Sequence, residues 1–100
     1  MPAKILIKRK FKEGSIKAVS ALLHEFRSGA MFQPGYISGE TLVKENDPLT
    51  LLVIGTWQHM QNWKTWKANP KRKAFEEMLE VYQEGPTEYE EYHLGLPHDQ

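Results

Sequence analysis

Apolar residues recur at two periods along this chain, and the switches between them mark out seven elements. From Lys4 to Phe11 the pattern alternates imperfectly, with Ile5, Ile7 and Phe11 on one side and Leu6, Lys8 and Lys10 on the other, which predicts a strand. Gly14-Ser15 breaks the run and offers an N-cap. Ile16, Val19, Leu23, Phe26 and Ala30 then recur at helical spacing to about Met31. Pro34-Gly35 stops that helix, and Tyr36 to Lys44 reads as a second strand, with Gly39 at a bulge or a close approach. Asn46-Asp47-Pro48 is a turn, and Leu49 to Trp57 is a nearly continuous apolar and β-branched third strand that wants both faces covered. His59 to Ala68 forms a short helix with Met60, Trp63 and Trp66 on one side. Asn69-Pro70 ends it and starts another, with Asn69 as cap and Pro70 at a position that needs no amide donor. That helix runs to about Glu84 on Phe75, Met78, Leu79 and Tyr82. Gly85-Pro86 ends it, and Thr87 to Leu94 is a last strand.

Strand, helix, strand, strand, helix pair, strand is the order of an α+β, ferredoxin-like split βαβ sandwich: a four-stranded antiparallel sheet with helices on one face. The second sheet face is then bare. The apolar third strand argues that another subunit covers it, so a two-fold homodimer formed sheet to sheet is expected.

Length and composition narrow the picture. A chain of 100 residues fits one domain, expected over residues 1–96, with a polar tail at 97–100. Thirteen basic residues against thirteen acidic ones give no net charge, so neither a nucleic acid nor an anionic membrane is an expected partner. There is no cysteine, which removes disulfides and thiolate chemistry. Met1-Pro2-Ala3-Lys4 does not resemble a signal peptide, and no apolar run approaches the roughly 20 residues that span a bilayer. A cytoplasmic location is expected.

Three segments in order, Pro34-Gly35-Tyr36-Ile37-Ser38-Gly39-Glu40-Thr41-Leu42, Leu52-Val53-Ile54-Gly55-Thr56-Trp57 and Trp63-Lys64-Thr65-Trp66 closed by Asn69-Pro70-Lys71-Arg72, resemble the antibiotic biosynthesis monooxygenase domain. The resemblance spans about Ile5 to Leu94. It implies a dimeric α/β barrel with a cavity between helices and sheet in each subunit. Some members of that family oxygenate polyketide-like aromatic substrates without metal or flavin, and some bind and degrade haem. Fold alone does not choose between them. The haem-degrading branch uses an Asn on the first strand, a Trp on the short helix and an axial His on the next helix. Trp66 matches that Trp, but the first Asn here is Asn46 and no His lies between His59 and His93.

Each candidate residue also has a plainer reading. Trp57, Trp63 and Trp66 are candidate substrate-binding residues, since wide flat side chains stack on planar ligands. Equally, they fill the core of a small domain, and for Trp63 that reading comes first. Among the histidines, His24 falls about 100° round its helix from the apolar stripe, His59 begins the short helix, and His98 belongs to the tail. His93 remains, facing either the cavity or the dimer seam. The chain lacks HExxH, GxSxG, a P-loop and a dinucleotide glycine pattern, and its aspartates are only Asp47 and Asp99, which disfavours hydrolase and metalloenzyme readings. Glu88, Glu90 and Glu91 alternate in side and read as a solvated edge strand, so no metal site is expected. RNA-recognition domains share the strand order but carry aromatics on their central strands. Here the third strand is aliphatic, and Lys8-Arg9-Lys10 and Lys71-Arg72-Lys73 read as solvated surface.

The leading expectation is a cofactor-independent monooxygenase-like dimer whose cavity accepts a flat, mostly apolar small molecule. Trp57 and Trp66 would line it, with Trp63 alongside, and Tyr36, Arg72 or His93 would supply polar contacts or proton transfer. Haem binding or degradation is one alternative. A non-catalytic dimeric ligand-binding module is another, and a fully packed interior between sheet and helices would favour it.

Overall fold

The computed structural model describes residues 1–97; His98, Asp99 and Gln100, and with them the reading of His98 as tail, lie outside the described residues. The chain forms β1 (Ala3–Lys10), α1 (Ile16–Met31), β2 (Tyr36–Lys44), β3 (Asp47–Trp57), α2 (Met60–Lys67), α3 (Pro70–Glu80) and β4 (Glu88–His93), the order that the periodicities predict. All ladders are antiparallel, and the strands lie in the order β2-β3-β1-β4. Each helical connection therefore joins two parallel strands with a third between them, the ferredoxin-like split βαβ arrangement.

Register sorts the side chains. Ile5 pairs with Gly55, Ile7 with Val53 and Arg9 with Leu51, and these positions face the helices. Between them, Leu6 pairs with Ile54 and Lys8 with Leu52, on the outer face, where Leu42 continues the aliphatic strip across β2. The core lies wholly on the inner side: Ala3, Ile5, Ile7 and Phe11, then Val19 and Phe26 of α1, Trp57, Trp63 and Trp66, and Leu79 of α3.

The element ends differ from the expected ones for local reasons. Asn46 takes the left-handed φ of 63° and closes a two-residue hairpin in which Lys44 pairs with Asp47, so the turn shrinks and β3 starts earlier than Leu49. Pro48 is tolerated inside β3 because the ladder to β1 reaches only Thr50. Helix α3 stops at Glu80 instead of Glu84 because the next residues bond elsewhere. The Glu84 amide donates to the Lys10 carbonyl at 2.8 Å, and the Tyr82 carbonyl accepts from the Lys12 amide at 2.8 Å. Met78, expected on the apolar stripe, is exposed, as is Ile16. Ser15 begins α1 without capping it, its hydroxyl donating instead to the Lys12 carbonyl at 2.6 Å. Asn69 does cap α3: its side-chain oxygen accepts from the Lys71 amide at 2.8 Å, with Pro70 in the first turn.

Candidate functional site

A cavity lies between the inner face of the sheet and the three helices. Its floor is open because two glycines, Gly39 and Gly55, pair across β2 and β3 and leave that patch of the sheet without side chains. The β2 register shifts between Tyr36 and Ser38, which brings the Tyr36 hydroxyl over Gly39, where a Cβ would sit 2.6 Å from it. The expected close approach at Gly39 is therefore real. The walls come from Trp57 of β3, Trp63 and Trp66 of α2, and Leu23, Phe26 and Ala30 of α1. The enclosed space is about 70 Å³, within a cleft of about 610 Å³ when the region open to solvent is included. The interior is not fully packed.

The aromatic wall is rigid because its members pack on one another. Tyr36 meets Trp57 edge-on at 5.3 Å, Trp57 lies 6.2 Å from Trp63, and Phe26 meets Trp66 edge-on at 6.4 Å while stacking on Phe75 at 5.3 Å. The Trp63 indole is also pinned by a 2.6 Å hydrogen bond that it donates to Glu91. Glu91 faces inward on β4, so it is more than the solvated edge residue that the sequence suggests. Gly29 of α1 lets the Trp66 ring approach: a Cβ there would meet its Cη2 at 3.4 Å.

One end of the cavity is charged. Arg9 of β1 and Arg72 of α3 both line it, and both are buried, at 3% and 2% exposure. This overturns the reading of Lys8-Arg9-Lys10 and Lys71-Arg72-Lys73 as solvated throughout; the central arginine of each triplet points inward. Both arginines share Glu76, one turn beyond Arg72 on α3. Arg9 donates to its carboxylate, and Arg72 Nη2 lies 3.7 Å from the same oxygen. The other Glu76 oxygen accepts from Thr87 at 3.0 Å, and Arg72 Nη1 donates to the Tyr89 hydroxyl at 3.1 Å. Burial alone would push the Glu76 carboxyl up, but the charge and hydrogen bond of Arg9, with Arg72 and Thr87, outweigh it and hold the pKa below its ordinary value of 4.5. Burial raises the Tyr89 phenol, against the opposing charge of Arg72, and so keeps it neutral near pH 7. The guanidinium carbons lie over aromatic rings: Arg72 is 4.9 Å from the Trp63 ring centre and 5.1 Å from that of Phe26, and Arg9 is 5.5 Å from Phe26.

Of the residues singled out from sequence, Tyr36, Trp57, Trp63, Trp66 and Arg72 come together around this cavity. His93 does not line it; it pairs with Ala3 at the end of β4 and is exposed. His24 and His59 are exposed as well, and His59 makes no side-chain cap bond. Among the described residues no three His, Cys, Asp or Glu side chains cluster as a metal site, and no histidine lines the cavity. Sequence reasoning missed Arg9, Glu76 and Phe26. Asn62 is half-buried beside Gly35, whose φ of 82° and lack of a Cβ make room for it, and its side-chain oxygen has no partner among the described residues. For Arg9 and Glu76 a signal was present. Arg9 keeps the parity of Ile5 and Ile7, and Arg72, Phe75, Glu76 and Leu79 follow the i, i+3, i+4, i+7 stripe of α3.

No curated protein matches the chain. Several solved structures share its fold. A conserved protein from Methanosarcina mazei Go1 superposes with a TM-score of 0.86 at 14% identity, covering 92% of this chain and 91% of that one. An antibiotic biosynthesis monooxygenase superposes at 0.84 with 16% identity over 95% of this chain and 99% of that one. SnoaB, a cofactor-independent oxygenase from Streptomyces nogalater, gives 0.84 at 11% identity over 96% and 95%. At these identities the likeness speaks for the fold alone. The family model for antibiotic biosynthesis monooxygenases matches residues 2–78, a span that contains the paired glycines, all three tryptophans and both buried arginines, and the chain therefore belongs to that family.

Proposed function

We propose that this chain is a monooxygenase that works without metal or flavin, taking a flat, mostly apolar, electron-rich small molecule such as a phenol or quinol into the cavity between sheet and helices. One observation carries the reading: a rigid wall of Trp57, Trp63 and Trp66 encloses unfilled space above a glycine floor. A packed interior would have favoured a non-catalytic module. Planar ligands gain from such walls through area burial and ring stacking. A cavity of about 70 Å³ is small for this role, so substrate entry would draw on the wider cleft or displace Tyr36 from over Gly39.

In this proposal the electron-rich substrate is the sole reductant: it gives four electrons and two hydrogens to dioxygen, one oxygen atom enters the ring as a carbonyl (phenol + O2 → quinone + H2O), and the other leaves as water. The chain's part is to hold the substrate flat, exclude water and stabilise negative charge as it develops. Arg72 gives one end of the cavity a buried positive charge for an anionic group of the substrate, and a buried cation acts far more strongly than one in water. The Tyr36 hydroxyl, over Gly39 of the floor, would supply a polar contact or proton transfer. SnoaB, with the same fold, is a cofactor-independent oxygenase, which supports this assignment. The lining offers haem iron no imidazole, and we do not propose haem chemistry. The outer aliphatic strip of Leu6, Leu42, Leu52 and Ile54 supports a homodimer formed sheet to sheet. Among the described residues no helix is long and apolar enough to cross a membrane.

Oxygen uptake measured over a panel of phenols and quinols tests the activity: turnover with at least one is expected, and a baseline trace with all of them would overturn it. Sedimentation at micromolar concentration tests the assembly, and a stable monomer would defeat the dimer.

A further inference from the structure

Two buried guanidinium groups share a single carboxylate at one end of the cavity, and among the described residues the remaining charge has no counter-ion. Arg9 and Arg72 contribute two positive charges, Glu76 one negative, and Tyr89 and Thr87 none near pH 7. Among the described residues the other charged groups nearby do not close the gap. Glu40 is exposed and pairs with Ile54 of the outer face, Glu91 is exposed and engaged with the Trp63 indole, and Lys67, 4.2 Å from the Tyr89 ring, is a further cation. Burying an unpaired charge is strongly unfavourable. The rings of Phe26, Trp63 and Tyr89 around Arg72 offset part of that cost. They do not supply lone pairs. Arg9 Nε, Arg72 Nε and Arg72 Nη2 are fully buried donors with no hydrogen-bond partner among the described residues. Buried polar groups in native proteins are nearly always satisfied, so three unsatisfied donors on two residues that line one cavity call for an acceptor inside it.

We propose that this end of the cavity is a carboxylate site, and that the flat ligand is a conjugated or aromatic acid whose ring lies between the tryptophans and whose carboxylate meets Arg9 and Arg72. This rests on the reading of the cavity as a site for a flat small molecule, and narrows its substrate class. Water in the same place would satisfy donors but leave the charge uncompensated. A phenolate brings one oxygen to donors on two side chains, whereas a carboxylate brings two oxygens with about four lone-pair sites and suits the planar guanidinium fork. A phosphate dianion exceeds the single uncompensated charge and asks for polar walls that the tryptophans do not provide. One negative charge on an otherwise apolar plate fits both the charge balance and the lining.

The test is a tryptophan-fluorescence and calorimetric titration of the intact protein at pH 7 with 1-naphthoate, 1-naphthamide and 1-naphthol, which share a ring system and differ in charge. Naphthoate is expected to bind at least tenfold more tightly than either neutral ligand. In Arg72→Gln that preference should vanish while naphthamide still binds. In Glu76→Gln, which removes the internal counter-charge, naphthoate should bind more tightly still and naphthamide should not. The wild-type comparison stands even where a variant fails to fold. Equal affinity for naphthoate and naphthamide, or tighter binding of naphthol, would overturn the carboxylate site and leave the aromatic cavity standing. Binding of none of the three would overturn both.

Discussion

Lys8 and Arg9 are neighbours on β1, point to opposite faces of one sheet, and each meets a glutamate. On the outer face Lys8 lies 3.6 Å from Glu88, with side chains 51% and 66% exposed. On the inner face Arg9 bonds Glu76 with both nearly sealed from solvent, and Arg72 shares the same carboxylate. Two pairs of like composition, one residue apart along the chain, thus differ wholly in setting. Water screens the outer pair and dispenses with it; the inner set exists in a medium where every unmet charge and donor is felt. The proposed function therefore rests on the inner face, where the protein tolerates an imperfectly satisfied cluster, and the proposed dimer on the outer face, where it tolerates an uncovered aliphatic strip.

The largest effect is expected from breaking the inner set. Glu76→Ala leaves two buried guanidinium groups without a carboxylate and should cost about 3–5 kcal/mol in urea unfolding. Backbone fit beside the cavity comes next. At Gly35 the φ of 82° and the Asn62 side chain packed where a Cβ would sit act together, so Gly35→Ala should cost about 1–3 kcal/mol by the same assay. Asn69→Ala removes a cap bond remote from both faces and should cost about 1 kcal/mol, read as a lower thermal midpoint. The smallest effect belongs to the outer pair: Lys8→Ala should change stability by no more than about 0.5 kcal/mol, and a loss comparable to that of Glu76→Ala would erase the distinction between the faces.

Acid sharpens the same contrast. The folded pKa of Glu76 is depressed, so its contribution to stability is fully present above its ordinary value of 4.5 and is lost as pH falls below that value and through the folded pKa. A pH series of urea midpoints should therefore decline below about pH 4.5 in the wild type and decline less steeply in Glu76→Gln, the site's carboxylate being absent from that variant.

The fold was legible in the chain because its signals are local and agree with one another. Alternation in β1, the Pro34-Gly35 stop and the Asn69-Pro70 start all act within a few residues. Where element ends moved, tertiary bonds decided: Lys10 at the end of β1 takes the Glu84 amide that a longer α3 would have needed, and Lys12 just beyond bonds the Tyr82 carbonyl. The aromatic part of the site was legible through Trp57, Trp63 and Trp66. Its charged end was only half legible. Arg72 stood out within the family pattern, but Lys-Arg-Lys triplets normally lie in solvent, and nothing in composition separates their middle residue from its flanks. Only parity with Ile5 and Ile7, or the stripe through Phe75 and Leu79, reveals which member turns inward. The cavity itself depends on Gly39 meeting Gly55 across two strands, a register that no local pattern encodes.

The most direct test of the central claim is a two-dimensional NMR titration of the labelled protein with 1-naphthol or 1-naphthoate, following the three indole N–H signals and the amides of both sheet faces. Saturable shifts at Trp57, Trp63 and Trp66 and at the Gly39 and Gly55 amides, with Lys8 and Leu52 unmoved, are the predicted result. Shifts confined to the outer face, or none at saturating ligand, would contradict the assignment of the inner cavity as the functional site.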